Sequence, residues 1–311
     1  MKCEICDVDA VISTNNGTLC TEHFKHRFEE ITIDTIKRYG MIREGETIAV
    51  ANSGGKDSLS LLFVLNKHFK DKNKIVSITV DEGITGYRDK TIETMKHYCS
   101  EWSVEYKIYS YKDYSGSTMD EITRVKPGIP CATCGVFRRH ILNASAVDTG
   151  ADKIATAHNL DDEAENVMMN LFQNDFDKLV RLGPFSGIRE RSGFVPRIKP
   201  FMFLSEKETM LFSIVNGIDA LHTACPYAGL GFRGLISRKV KEIESARTGS
   251  KRAMVDRMLE IKKKYASAAE ASATALRKCA SCGSPSSKDT CEACVLKTEI
   301  SAVKRGEILN V

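Results

Sequence analysis

The most concentrated chemistry in this chain lies in six consecutive residues, Ser53-Gly54-Gly55-Lys56-Asp57-Ser58. They follow an apolar run from Ile48 to Ala51 and precede a helical pattern at Leu59, Leu61, Leu62 and Leu65. Strand, glycine turn and helix start aim successive backbone N–H groups at one point, and the helix dipole favours an anion there. Gly54 and Gly55 let the backbone approach a ligand, Lys56 adds positive charge, and Ser53 and Ser58 add hydroxyls. A phosphate group answers that description. Asp57 is unusual in a phosphate cradle, and an accompanying divalent cation, Mg2+, would explain it. The spacing departs from Gly-x4-Gly-Lys-Ser/Thr, so this is not a Walker-type loop.

Cysteines form the second chemical set. Of the 11, eight fall in C-x2-C pairs: Cys3 and Cys6, Cys131 and Cys134, Cys279 and Cys282, Cys291 and Cys294. No charged-then-apolar leader opens the sequence, and such pairs without an export signal read as metal ligands rather than disulfides. Cys3, Cys6, Cys20 and His23 have the spacing of a closed tetrahedral zinc site, with His26 as the alternative fourth ligand. Cys279, Cys282, Cys291 and Cys294 have the spacing of a four-cysteine zinc ribbon. Cys131 and Cys134 have no near third partner, and the nearest downstream is Cys225. Three thiolates are too few for a closed zinc site. They suffice for an iron–sulfur cluster with one iron lacking a protein ligand, or for a redox and persulfide relay. Cys99, alone in a helical pattern, reads as core filling.

The elements that must position these residues alternate between strand and helix from 41 to 235. Strands are expected over Lys74–Val80, Val104–Tyr109 and Asp152–Ala157, with helices over Arg88–Glu101, Gly135–Asp148 and Asp161–Phe172. The fold class is therefore α/β, a parallel sheet with helices on both faces, and ligands belong beyond the carboxyl ends of its strands. The six-residue loop, Asp81-Glu82-Gly83 and His158-Asn159-Leu160-Asp161-Asp162 all fall there. Asp161 and Asp162 are placed to cap the following helix, and with Glu163 they also suit magnesium or a proton relay. Segment 1–40 carries the N-terminal zinc set and a helix from Thr21 to Arg38. Long charged helices fill 236–275, and 276–311 holds the ribbon.

At 311 residues and a net charge of +4, the chain permits nucleic acid as a partner without demanding it. Arginines and lysines gather from Arg189 onward, through Arg191, Arg197, Lys199 and Arg233, where they would suit a polyanion. No run of eighteen apolar residues occurs, so the protein is read as soluble and cytoplasmic, with no membrane partner.

Assembled, these residues resemble the catalytic subunits of archaeal and eukaryotic tRNA 2-thiolation enzymes over nearly the full length. Those enzymes are built on the PP-loop of ATP pyrophosphatases. The resemblance implies that ATP binds at Ser53 to Ser58, with Asp81 and His158 nearby, and adenylates the C2 oxygen of a uridine. It implies a [4Fe–4S] cluster on Cys131, Cys134 and Cys225 for sulfur delivery, with a persulfide as the alternative. Asp161 or Asp162 would be the acid/base group, and Arg138 would stabilise developing charge. Two zinc ions would fill the terminal sites. Partners would be tRNA, a sulfur donor (a ubiquitin-like thiocarboxylate carrier or free sulfide) and a second copy of the chain.

Two sister groups share this layout, one acting on the wobble uridine and the other on the T-loop uridine. Cys134-Gly135-Val136-Phe137-Arg138-Arg139 and Gly231-Phe232-Arg233-Gly234 resemble the wobble group, whereas the T-loop group usually has lysine at the position of Arg138. His23 departs from many eukaryotic relatives, which have cysteine there. PP-loop enzymes that use ammonia or an amine need neither the cysteine trio nor a ribbon. A non-catalytic RNA-binding zinc protein would be expected to carry a damaged loop, and this one is intact.

Overall fold

The computed structural model describes residues 1–126, 130–186, 193–221, 224–228, 231–271 and 277–306. At the N-terminus, β1 (Ile12–Thr14) and β2 (Gly17–Leu19) form an antiparallel hairpin that leads into α1 (Thr21–Tyr39). Gly40 ends this helix in the left-handed conformation, its N–H returning to the last turn.

The central layer begins with β3 (Thr47–Ala51), α2 (Lys56–Phe69), β4 (Lys74–Asp81), α3 (Arg88–Glu101) and β5 (Glu105–Ser110). Two short helices follow, α4 (Tyr111–Ser115) and α5 (Met119–Val125), then α6 (Pro130–Asp148) and β6 (Lys153–Ala155). After α7 (Leu160–Phe172) and α8 (Phe176–Leu179) come β7 (Phe185–Ser186), β8 (Arg197–Ile198) and α9 (Glu206–Val215). The strands lie in the order β5-β4-β3-β6-β8-β7. Every pairing is parallel except that of the edge strand β7 with β8.

Ile48, Ala49 and Val50 of β3 are fully buried, as a strand covered on both faces must be. Ile48 and Val50 face one core with Leu61, Leu62, Phe28 and Phe212. Ala49 faces the other with Val76, Ile78, Ala146 and Ile154. Phe28 fastens α1 to this layer by stacking on Phe212 at 3.9 Å between ring centroids and meeting Phe201 edge-on at 5.1 Å. Cys99 fills this core as expected, fully buried with its thiol toward Met95.

Beyond the sheet, α10 (Phe232–Ala246) and α11 (Ser250–Ala271) pack on α7 through Ile236, Val240 and Val255. The break between them falls at residues 247–249. Finally β9 (Arg277–Lys278), β10 (Pro285–Ser286) and α12 (Glu292–Lys304) form a module whose Leu296 and Ile300 join Met119, Ile122, Phe137 and Ile141 in one core. No helix among the described residues is long and apolar enough to cross a membrane.

Two features differ from expectation. Helix α6 begins at Pro130 rather than Gly135, so Cys131 and Cys134 sit on its opening turns and not on a separate knuckle. Proline is at home in a first turn, where its missing N–H would have no partner. The sheet is also not wholly parallel, because Phe185 and Ser186 return against β8.

Candidate active site and metal centres

The six-residue loop joins β3 to α2, whose N-cap is Gly55. Gly54 has φ +77°, and a side-chain carbon there would come within 1.9 Å of the Thr91 carbonyl oxygen. Only glycine admits both that conformation and that contact. Asn52 Oδ1 holds the turn by accepting from the Gly54 N–H at 2.9 Å and from the Ser58 hydroxyl at 3.1 Å. The Ser53 N–H donates to Ser58 Oγ at 3.1 Å. The serine hydroxyls thus rigidify the cradle before any ligand arrives. Lys56 Nζ lies 2.8 Å from Asp57 Oδ2, and Thr209 of α9 donates to the other Asp57 oxygen. Asp57 therefore has protein partners that account for it in the absence of a cation.

Residues beyond the neighbouring strands face the same end of the sheet. Asp81 accepts from the Gly83 N–H at 2.8 Å. His158 Nδ1 lies 2.9 Å from Thr156 Oγ1, in a partly buried contact of an otherwise exposed residue. Desolvation pushes its pKa below the usual imidazole value, with Asp162 opposing. Asp161 and Asp162 diverge. Asp161 is buried, with Oδ1 2.7 Å from Lys251 Nζ and Oδ2 accepting from the Glu206 N–H at 2.9 Å. It pins the start of α9 to α11. Asp162 forms a reciprocal capping box with Asn159 and lies 2.8 Å from Arg233 Nη2 at a partly open surface. Asp161→Asn should therefore lower stability by about 3 kcal/mol, because it strands a buried ammonium, whereas Asp162→Asn should cost about 1 kcal/mol or less. Thermal unfolding of the two variants measures the difference.

The central cysteines come together from α6 and the 224–228 segment. Cys131 is exposed, with Sγ 3.3 Å from the Tyr227 carbonyl oxygen. Cys134 is buried, its Sγ 3.3 Å from the Tyr111 hydroxyl and 3.2 Å from Arg138 Nη2. Cys225 is half-buried on the same apolar patch, and desolvation raises its thiol pKa. The Tyr227 hydroxyl donates to Asp120 at 2.8 Å, tethering the segment that bears Cys225. Arg138 in turn places Nε 3.0 Å from Glu82 Oε1.

Both terminal sets converge as their spacing implies. His23 Nδ1 lies 3.4 Å from the Cys3 and Cys6 sulfurs and 3.3 Å from that of Cys20. The Cys6–Cys20 and Cys282–Cys291 sulfurs are each 3.8 Å apart. A tetrahedral zinc with ordinary Zn–S bonds has sulfur–sulfur edges of about 3.8 Å, so the donor sets fit. His23, not His26, completes the first set. Among the described residues these are the only two groups with three or more ligand atoms all within 4.8 Å of one another. The central trio is more widely spread, which suits a polynuclear cluster better than a single zinc ion.

Sequence reasoning missed Asn52, Arg88 and Glu82 as site residues. The signal for Asn52 was an amide directly after a buried strand, where a polar group needs a partner. Arg88 gave no signal that separates it from a surface charge, and Glu82 was marked only by its place in Asp81-Glu82-Gly83 at a strand end. Arg189 and Arg191 lie outside the described residues.

Residues 20–212 match the family model described as the PP-loop domain. A cytoplasmic tRNA 2-thiolation protein 1 from Chlamydomonas reinhardtii is 38% identical over 283 residues, covering 89% of this chain and 78% of the relative. The tRNA 2-thiolation protein NcsA of Haloferax volcanii is 31% identical, covering 97% of this chain and all of the relative. Among solved structures, the U34-tRNA thiolase NcsA from Methanococcus maripaludis with its [4Fe–4S] cluster aligns with a TM-score of 0.76 and 34% identity. That match covers 85% of this chain and 88% of the other. With the loop, the trio and both terminal ligand sets in place, the chain belongs to the PP-loop enzymes of the tRNA 2-thiolation family.

Proposed function

We propose that the protein is a cytoplasmic tRNA-uridine 2-sulfurtransferase acting on the wobble uridine. The observation that carries the proposal is that Arg88, Glu82 and Arg138 link the Ser53 carbonyl of the nucleotide loop to the Cys134 sulfur of the trio. ATP would lie with its phosphates on Ser53 to Ser58, accompanied by Mg2+, near Asp81 and His158. The uridine C2 oxygen attacks the α-phosphorus, and pyrophosphate departs onto Gly54, Gly55 and Lys56. An oxide that cannot leave thereby becomes AMP, which can. A hydrosulfide adds to C2, AMP departs with the oxygen, and the sulfur loses its proton.

Cys131, Cys134 and Cys225 would hold a [4Fe–4S] cluster, which supplies a Lewis-acid iron for that sulfur when bound. Arg138, beside Cys134, is placed to stabilise charge as it develops. Of the two aspartates, Asp162 is the better acid/base group, since both oxygens of Asp161 are held in the interior. Zinc at the two terminal sets would be structural.

Arg139 and Arg197 support RNA as the substrate. Arg197 Nη2 donates to the Arg139 carbonyl at 2.9 Å, while its buried Nε has no hydrogen-bond partner among the described residues. Burial, then the neighbouring Arg139, lowers the Arg197 pKa to about 10. Among the described residues neither arginine is ion-paired with a carboxylate, and two such neighbours suit a phosphodiester. The solved relative is titled a U34-tRNA thiolase, which favours the wobble position over the T-loop. We read the chain as a zinc finger with its helix (1–40), a catalytic domain (41–235), a helical extension (236–275) and a ribbon (276–311). It would act as a homodimer, supplied by free sulfide or a thiocarboxylate carrier.

The test is anaerobic incubation with ATP, sulfide and unmodified tRNA, followed by nucleoside mass analysis and position mapping. One AMP per 2-thiouridine at the wobble position is expected. Sulfur in the T-loop would move the protein to the sister group. Bound tRNA with no AMP formed would leave only an RNA-binding protein.

A further inference from the structure

We infer that Glu82 is a positioning residue that couples the nucleotide loop to the cysteine trio through a buried chain of charges. The inference rests on the proposed reaction, in which loop and trio are the two working halves.

The chain can be followed atom by atom. Arg88 Nη1 donates to the Ser53 carbonyl at 2.7 Å, inside the loop itself. The same nitrogen donates to Thr91 Oγ1 at 2.9 Å, and Nη2 donates to the Val80 carbonyl at 2.5 Å. Arg88 Nε lies 2.6 Å from Glu82 Oε2, although neither atom is aligned for a hydrogen bond. Glu82 Oε1 lies 3.0 Å from Arg138 Nε, and Arg138 Nη2 donates to Cys134 Sγ at 3.2 Å. Arg88 is 3% exposed and Glu82 5%, so water does not screen the contact between them.

Two features point beyond a fold-stabilising pair. Arg88 and Glu82 already balance each other's charge, so folding alone does not call for a second guanidinium on Glu82. Arg138 is half-exposed and belongs to the cysteine helix, not to the element that carries Arg88. The loop is also clamped twice to α3, by Arg88 and by the close approach of the Thr91 carbonyl to Gly54. A shift of the Ser53 carbonyl as phosphate seats must therefore move Arg88, and a close-packed interior passes such shifts on. By reciprocity, whatever fixes Cys134 must alter the affinity of the loop for nucleotide.

The experiment measures the affinity of a non-hydrolysable ATP analogue by calorimetry on the full chain. Iron-free protein that retains its zinc is compared with protein reconstituted anaerobically with iron and sulfide. In wild type the two affinities should differ by about fivefold or more. In Glu82→Gln the ratio should collapse towards unity. Because that variant leaves buried Arg88 without its counter-charge and can misfold, Arg138→Gln breaks the same link from the half-exposed end and keeps the inner pair. A wild-type ratio near unity, or a ratio that survives in Arg138→Gln, overturns the coupling. Wild-type protein that shows the coupling yet forms no 2-thiouridine would instead sink the proposed reaction, so the two failures are distinguishable.

Discussion

Gly54→Ala should reduce tRNA-dependent AMP formation by about 100-fold or more, the penalty attached to misplacing a reacting group by an ångström. The added carbon would sit 1.9 Å from the Thr91 carbonyl oxygen, and that oxygen is backbone of α3, not the end of a flexible side chain. Loop or helix must move. The residue would also be held at φ +77°, where an L side chain is strained. Strain and overpacking together should cost about 3 kcal/mol of stability. Gly40→Ala is the matched control. Its φ of +58° is equally left-handed, but nothing lies within 4 Å, so it should cost only about 1 kcal/mol and leave AMP formation intact. Assaying AMP and thermal unfolding on both variants separates the cradle's geometry from a general glycine effect.

Cys225→Ser should reduce 2-thiouridine formation by about 10^3-fold or more, as removal of a group used directly in the chemistry does. The residue is half-buried and serine is nearly its size, so stability should fall by about 1 kcal/mol or less. Zinc content should stay at two per chain, because Cys225 belongs to neither terminal set. Iron bound after anaerobic reconstitution should be lost, while tRNA binding remains. The informative contrast is Cys99→Ser, which places a hydroxyl in a fully buried site and should cost stability without touching thiolation. If Cys225→Ser thiolated tRNA at the wild-type rate, both the cluster and the persulfide would be excluded at this trio.

What could be read in advance divides by distance along the chain. The loop is six adjacent residues and each zinc set lies within a short segment, so their chemistry is written locally. The strand–helix alternation was equally plain, because apolar periodicity is a local signal. Contacts set by topology were not. Asp161 is held by Lys251, 90 positions away, and nothing in a run of helical charges singles out that lysine. Glu82 and Arg138 meet only because β4 ends beside α6. Helix α6 starts at Pro130, ahead of the expected Gly135, because proline fits the first turn of a helix. The two-residue β7 is too short to leave a periodicity at all.

The shared core of α12 and α6 has a consequence for how the protein is made. Phe137 and Ile141, which follow Cys131 and Cys134 on their helix, are covered by Leu296 and Ile300 from the far end of the chain. A ribosome delivers the first pair roughly 160 residues before the second, at about 5–20 residues per second. During that interval the cysteine helix has an uncovered apolar flank. On the proposed reading, with zinc in the C-terminal set, the ribbon that closes it folds once that metal is bound, as small zinc modules do. That reading orders maturation: zinc first, then a settled cysteine helix, then iron and sulfide. Zinc scarcity would strike the sulfur chemistry without removing a single residue from it.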